Sequence, residues 1–429
     1  MHPKALLDTA TELVRRALLL EHPADAVVSR FFRERRDLGP RERATLAETA
    51  YAVLRRKPLF EHLARAGSGP RERRLAILGF HAPRDFVKQA LTVGEQSWLN
   101  ICDAVPPSEL PPACRHNLPQ WLAERLQAQL GDGGEFDALA AALLEIAPLD
   151  LRVNTLRIKR EQAAQELQAA GIAAAATPYS PWGLRVRGKP ALNKLDVFTR
   201  GALEVQDEGS QLLALLLEAR RGEMVADFCA GAGGKTLVIG AAMRNTGRLY
   251  AFDVSLHRLE ALKPRLARSG LSNVHPVAIA HERDERIKRL AGKLDRVLVD
   301  APCSGLGTLR RNPDLKWRQS PEAVRELAAK QQAILGSAAR LLKPGGRLVY
   351  ATCSLLPDEN EAIAQAFSAA HPGFAALNVA GLLQALKIPA APALCSPAVG
   401  SEAEAGRFLR LWPHRHGTDG FFAAIWQRC

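Results

Sequence analysis

At 429 residues the chain is too long for one average domain, so two or three domains are expected. Hydrophobic residues make up 47% and charged residues 24%, the balance of a globular protein, and no apolar run is long enough to span a bilayer. A formal net charge of +13 predicts a polyanionic partner, most simply nucleic acid. Seven cysteines, odd in number and widely scattered, fit reduced thiols better than a disulfide framework. No cluster of Cys and His has zinc-ligand spacing, so no metal is expected. Charges in the first turns and the lack of a signal-peptide core predict a cytoplasmic location, with a monomer as the default state.

Residues 1–105 read as helices. Leu6, Leu7, Ala10, Leu13, Val14, Ala17 and Leu18 fall at helical spacing, and the pattern continues through Ala44 to Leu54 and Arg73 to Phe80. Basic side chains crowd this part, among them Arg35, Arg43, Arg55, Arg71, Arg73 and Arg74. Acidic residues interleave with them, so a solvated helix face competes with RNA contact as their explanation. Residues 106–148 form a Pro-rich strap followed by two helices, the first from Gln120 to Leu130. Residues 149–200 read as a small α/β unit. Its strand Leu149 to Val153 runs into Asn154, and a helix from Arg160 to Ala170 ends at Gly171, a plausible C-cap. Arg152 and Asn154 are candidates for substrate contact or for structural roles.

Residues 201–429 alternate strands and helices and predict a doubly wound, Rossmann-like α/β domain. Strand Met224 to Phe228 leads into Cys229-Ala230-Gly231-Ala232-Gly233-Gly234-Lys235-Thr236. A Gly-rich turn between strand and helix lets a ligand approach the backbone. It is not a P-loop, because Cys229 stands where that pattern needs a Gly. A nucleoside cofactor without a triphosphate fits better. The next strand ends in Asp253, about twenty residues after the turn, where an acid binds ribose hydroxyls. Strand Val297 to Val299 ends in Asp300, followed by Pro302, Cys303 and Gly305. Strand Arg347 to Thr352 repeats the design with Cys353 and Ser354. Two thiols at the carboxyl ends of two strands, beside acidic and turn residues, predict a reactive site rather than two ordinary buried cysteines. Two last strands, Arg407 to Trp412 and Phe421 to Trp426, flank a loop.

The motifs Leu151-Arg-Val-Asn-Thr155, Asp227 to Thr236, Asp300-Ala-Pro-Cys-Ser-Gly305, Asn312-Pro-Asp-Leu-Lys-Trp317, Thr352-Cys-Ser354 and His416-Gly-Thr-Asp-Gly-Phe-Phe422 together resemble the Fmu/Sun family of RNA cytosine-5 methyltransferases. The resemblance covers about Leu149 to Gln427. More weakly, through Tyr51-Ala-Val-Leu-Arg-Arg56, the helical head resembles the NusB-like RNA-binding domain of the bacterial ribosomal-RNA members. The family implies S-adenosylmethionine as cofactor, held by Cys229 to Lys235, Asp253 and Asp300. It implies Cys353 as the nucleophile that adds to C6 of cytosine, Cys303 as the thiol that assists release, and Asp300 as a partner of the base. It implies an RNA substrate, with 16S rRNA expected through the head domain and transfer RNA still open. On this view residues 149–200 form an RNA-binding subdomain. Arg152 and Asn154 are its RNA-contact candidates, and Arg310, Arg311 and Lys316, just after the Cys303 loop, are candidates for phosphate contact. Lys235 is open between the cofactor's carboxylate and a structural bond. Two positions depart from the family. Ala232 stands where a proline is common, and no acid ends the third strand, leaving the adenine contact unassigned between His281 and Asp284. Two rivals remain at this level. Another class of methyltransferase on the same fold needs no thiol pair, and a silent RNA-binding assembly factor needs no cofactor.

Overall fold

The computed structural model describes residues 1–131, 133–397 and 405–429. It divides into two units: Met1–Ile146 with Thr308–Pro321, and Ala147–Gly307 with Glu322–Cys429.

The first unit is helical, as its 3.6-residue periodicity requires. Helix Pro3–Ala17 buries Leu6, Leu7, Ala10, Leu13, Val14 and Ala17, the stripe read from the sequence. It packs with helices Pro40–Arg55 and Arg71–Gly79 around Leu46, Val53, Leu75 and Ile77. Helix Val93–Ala104 starts in a capping box. Thr92 Oγ1 accepts from the Glu95 amide at 3.2 Å, and Glu95 Oε2 accepts from the Thr92 amide at 2.8 Å. Many of the crowded arginines serve this unit internally. Arg73 bonds Glu95 and Asp8, Arg35 bonds Asp37, and Arg74 donates to the carbonyls of Ala64 and Gly67. The Pro-rich strap is more ordered than its composition suggests. It includes the short helix Pro112–His116, ended by Asn117 at positive φ.

The second unit holds two sheets. The small one comprises β1 (Leu149–Val153), β2 (Ala174–Ala176), β3 (Gly183–Val186) and β4 (Leu203–Val205), in the order β2-β3-β1-β4, with its pairs antiparallel. The sequence boundary at residue 200 therefore falls one strand early, because β4 pairs back onto β1.

The large sheet comprises β5 (Met224–Asp227), β6 (Arg248–Asp253), β7 (Val274–Ala278), β8 (Leu294–Asp300), β9 (Leu342–Thr352), β10 (Phe374–Ala376), β11 (Leu409–Leu411) and β12 (Phe421–Arg428). The order is β10-β12-β9-β8-β5-β6-β7, with β11 beside β12. Strands β5 to β9 run parallel, and β12 is antiparallel to β9. Alternate residues of the central strands feed cores on opposite faces: Val225, Leu298 and Val349 on one, Ala226, Val297, Val299 and Tyr350 on the other. A sheet covered on both faces explains why these strands read as continuous apolar runs. From β5 the chain winds one way through β6 and β7, while β8 and β9 lie on the other side. The turn after β5 thus occupies the switch point where such sheets bind ligands.

Candidate active site

Parallel register brings the carboxyl ends of β5, β6, β8 and β9 together. Asp227 lies level with Ala251 and Leu298, and Asp300 with Ala351. A cavity of about 850 Å³ opens at that edge. Cys229, Ala230, Gly231, Ala232, Gly234, Lys235, Asp253 and Asp300 line it, as do both Cys303 and Cys353. Of the residues expected there, Gly233 alone is absent from the wall, and its role is to shape the turn. Its φ is +82°, and a Cβ would lie 2.1 Å from Leu262 Cδ1.

The turn is fastened to the neighbouring strand. The Ala230 amide donates to Phe252 O and the Gly231 amide to Asp253 Oδ2, both at 2.8 Å. Asp253 Oδ1 accepts from the Ser255 amide at 2.7 Å. Each oxygen of this nearly buried carboxylate has one backbone donor, which fixes its plane and leaves a further lone pair on each. Beneath the turn, Asp227 Oδ2 accepts from Thr236 Oγ1 at 2.7 Å. Burial pushes the Asp227 carboxyl up to about 7, against the Thr236 hydrogen bond and with the charge of Asp300 adding to the rise. Burial likewise holds the Cys229 thiol well above its ordinary range, with Asp300 and Asp227 adding to it. A thiol held so high is a poor nucleophile.

Lys235 Nζ donates to Asp300 Oδ2 at 2.7 Å. Burial works against the ammonium, but Asp300, with Cys353 and Asp227 beyond it, more than offsets that and raises its pKa. The Sγ atoms of Cys303 and Cys353 lie 3.4 Å apart, both facing the cavity. The hydrogen bond to Cys353, together with burial, holds the Cys303 thiol well above the ordinary range. The two loops are also tied by backbone. The Gly307 amide donates to Cys353 O, and the Gly420 amide to Gly307 O, each at 2.8 Å. A Cβ on Gly307 would lie 2.1 Å from Gly420 O and 2.7 Å from Cys353 O, so only glycine permits the approach. The His416 to Phe422 motif is thus structural. His416 itself accepts from the Trp412 amide and lies 2.9 Å from Ala393 O.

His281, with Ile279 and Ala280, lines the cavity at the end of β7. Asp284 does not: its oxygens accept from the amides of Ala280 and Arg286, capping a short helix. Arg258 and Lys330 also line the cavity and went unread, because a lone exposed cation on a helix carries no sequence signal.

The expected RNA contacts need correction. Arg152 is 2% exposed, and its Nε donates to Gln206 Oε1 at 2.8 Å. Burial lowers its pKa to about 10. Asn154 is 3% exposed and donates to the carbonyls of Gly201 and Ser269. Asn154 ties the small sheet to Ser269, the last residue of helix Leu256–Ser269, and neither side chain is open to a phosphate. Lys316 is 1% exposed and donates to Arg55 O at 2.8 Å within the helical unit, where the Arg310 carbonyl accepts from Arg55. Arg310 is buried there too. Trp317 donates its Nε1–H to Leu54 O at 2.7 Å. Arg311 is half-buried and keeps its candidacy. The motif that carries these residues is a structural segment of the helical unit. Among the described residues no group of Cys, His, Asp and Glu is arranged to hold a metal ion, and no helix is long and apolar enough to cross a membrane.

Comparison with known proteins places these features among relatives. Residues 214–427 match the family model described as 16S rRNA methyltransferase RsmB/F, and residues 118–193 match one described as an RsmF/B-like, ferredoxin-like domain. The ribosomal RNA small subunit methyltransferase B of Erwinia tasmaniensis is 30% identical over 385 residues, covering 89% of this chain and 76% of that one. The protein of the same name from Sodalis glossinidius is 37% identical over 284 residues, or 66% of this chain. There the match spans 63% of the relative's length, a little under two thirds. The crystal structure of a methyltransferase homolog protein from Pyrococcus horikoshii superposes with a TM-score of 0.63 at 30% identity, covering 76% of this chain and all of that one.

Proposed function

The chain belongs to the RsmB/F family of 16S rRNA methyltransferases, and from that premise we propose that it methylates C5 of a cytidine in small-subunit ribosomal RNA, through a covalent adduct between Cys353 and C6. One observation carries the reading. Two thiols 3.4 Å apart share a cavity with a Gly-rich turn, a backbone-fixed carboxylate and a Lys–Asp pair. N- or O-directed methyl transfer needs no such thiols.

S-adenosylmethionine fits the residues present. Asp253 keeps a lone pair on each oxygen for the two ribose hydroxyls, and the turn Cys229 to Gly234 borders the same cavity. When bound, this cofactor supplies an electrophilic methyl carbon. The protein supplies the rest. Cytosine C5 is a poor nucleophile until a thiolate adds to C6, which breaks aromaticity and moves electron density to C5. Cys353 forms that bond. Lys235, bonded to Asp300, stands in the same cavity wall as Cys353. Asp300 in the cavity wall orients the base. After C5 is methylated, its proton leaves to a base and the Cys353–C6 bond breaks, restoring the ring. Cys303, whose Sγ lies 3.4 Å from that of Cys353, serves this release. The target base reaches the pocket only out of its stack.

The test is transfer of labelled methyl to RNA from a strain lacking the protein, followed by nucleoside analysis. Label in 5-methylcytidine, lost in Cys353→Ala, is expected. Label in another nucleoside would overturn the thiol mechanism. In Cys303→Ala, blocked release is expected to leave an RNase-sensitive, slow-migrating protein–RNA band on denaturing gels.

A further inference from the structure

Below the two thiols lies a buried carboxylate that the mechanism above does not use. Glu359 is fully buried. Its Oε1 accepts from the Ser304 amide at 2.8 Å and from Gln331 Nε2 at 3.0 Å. Its Oε2 accepts from the hydroxyls of both Ser304 and Ser354. Ser304 directly follows Cys303, and Ser354 directly follows Cys353. Four donors from both cysteine loops and the helix between them thus converge on one side chain.

The surroundings leave little freedom. Gln331 Nε2 also donates to Pro302 O at 3.0 Å, gripping the residue before Cys303. The Tyr350 hydroxyl donates to Glu359 O at 2.6 Å, which holds the Glu359 backbone, and lies 3.1 Å from Gln331 Oε1. Asn360, the next residue, donates to Ser354 O at 3.0 Å and accepts from Thr352 Oγ1. Each thiol is therefore flanked by residues anchored to Glu359 or its neighbour. The two loops come from strands 50 residues apart in the chain; Ser304 Oγ and Ser354 Oγ meet at 3.2 Å, and Glu359 accepts from both hydroxyls.

We propose that Glu359 is the positioning residue that sets the spacing of Cys303 and Cys353, holding both loops on one carboxylate. The role matters for catalysis only if the thiol-dependent reading above is right, but the spacing itself is measurable without it. A carboxylate suits the task because its two oxygens accept from all four donors and donate to none. A carboxamide of the same shape cannot accept from all four: toward Oε1 its N–H2 would face a backbone amide and the Gln331 amide, and toward Oε2 it would make both serine hydroxyls turn from donors to acceptors, ending their bonds to a charged oxygen.

The experiment uses the full chain and two readouts. The first is cross-linking by dibromobimane, which becomes fluorescent when two neighbouring thiols each displace one bromide. Peptide mapping identifies the Cys303–Cys353 product among the seven cysteines. The second is single-turnover methyl transfer beside S-adenosylmethionine binding by calorimetry. In Glu359→Gln, which keeps volume, the cross-linking rate is expected to fall about tenfold and the methyl-transfer rate about a hundredfold, the scale of loss when reacting groups shift by about 1 Å. The dissociation constant for the cofactor should stay within about twofold, since none of its expected contacts touches Glu359. The paired change Ser304→Ala with Ser354→Ala leaves the carboxylate in place and should lower cross-linking in the same direction. It also serves if Glu359→Gln fails to fold. Wild-type cross-linking and transfer rates in both folded variants would overturn the proposal. Reduced cross-linking in the variants, with a wild-type protein that makes no 5-methylcytidine, would uphold the clamp and sink the functional reading instead.

Discussion

Two lysines, one in each unit, are both nearly buried and have opposite fates. Lys235 stands in the cavity wall with Asp300 at 2.7 Å, and its pKa is raised. Lys316 lies in the helical unit with a single carbonyl partner, Arg55 O. Burial drives its pKa well below the ordinary value, with Arg55 and Arg56 adding to the fall. Burial acts against the charge in both; the counter-ion decides the outcome. A basic residue in a motif is therefore no sign of a working cation. Lys235 carries charge to a place where chemistry is expected, while Lys316 is an interior amine that anchors a segment beside Trp317, whose ring lies 5.0 Å away.

The largest effect that sharpens the contrast is on rate. Lys235→Met is expected to slow single-turnover methyl transfer by roughly 10²–10³-fold, the loss typical of one preorganised electrostatic group. Lys316→Met should leave that rate unchanged. Equal effects at the two sites would break the comparison.

Next comes the sign of the pH dependence, read by urea unfolding between pH 7 and 11 against each Met variant. Lys316 has a folded pKa below its ordinary 10.5, so the unfolded chain binds more protons in the window beneath that value. Its presence is thus destabilising at neutral pH, and the wild type should gain on Lys316→Met as pH rises toward 10.5, by at most about 1.4 kcal/mol per pH unit. Lys235 has a folded pKa above 10.5. Its stabilisation is complete below 10.5 and lost as pH rises through the folded value, so the wild type should hold level against Lys235→Met and then decline. Parallel curves would falsify the assignment of opposite shifts.

A third expected effect concerns Asp227, which is buried like Lys316 but belongs to the cavity's surroundings like Lys235. Its carboxyl is raised from 3.8 to about 7, so in that interval the folded chain holds a proton that the unfolded chain has lost. The cost of Asp227 should accumulate as pH rises from 3.8 to about 7 and level off above it. Asp227→Asn keeps an acceptor for Thr236, and its melting temperature should exceed the wild type's by a margin that grows over that range. A margin independent of pH would place the Asp227 pKa outside it.

Local signals carried much of the site. An apolar run ending in Asp300 or Asp253 is a buried parallel strand with its acid at the ligand edge, and the Gly-rich turn follows the central strand. The residues near the thiols that went unread are of another kind. Glu359 sits in the stretch Pro357-Asp-Glu-Asn-Glu361, which looks like a solvated acidic turn. Nothing local says that two serines from distant loops meet it. The short strand Leu203–Val205 was missed for a similar reason: three residues become a strand only when β1 lies beside them.

The sequence by itself determined the periodic elements, the doubly wound order and the chemical kind of the site, because these depend on residue spacing and on which groups end each strand. Tertiary structure alone decided which basic side chains stay accessible. Arg152, Arg310 and Lys316 read as phosphate contacts because they are basic, yet each is buried by neighbours far away in the chain. Charge state and accessibility follow from desolvation and from partners within a few ångströms, and those partners are set by packing rather than by sequence distance.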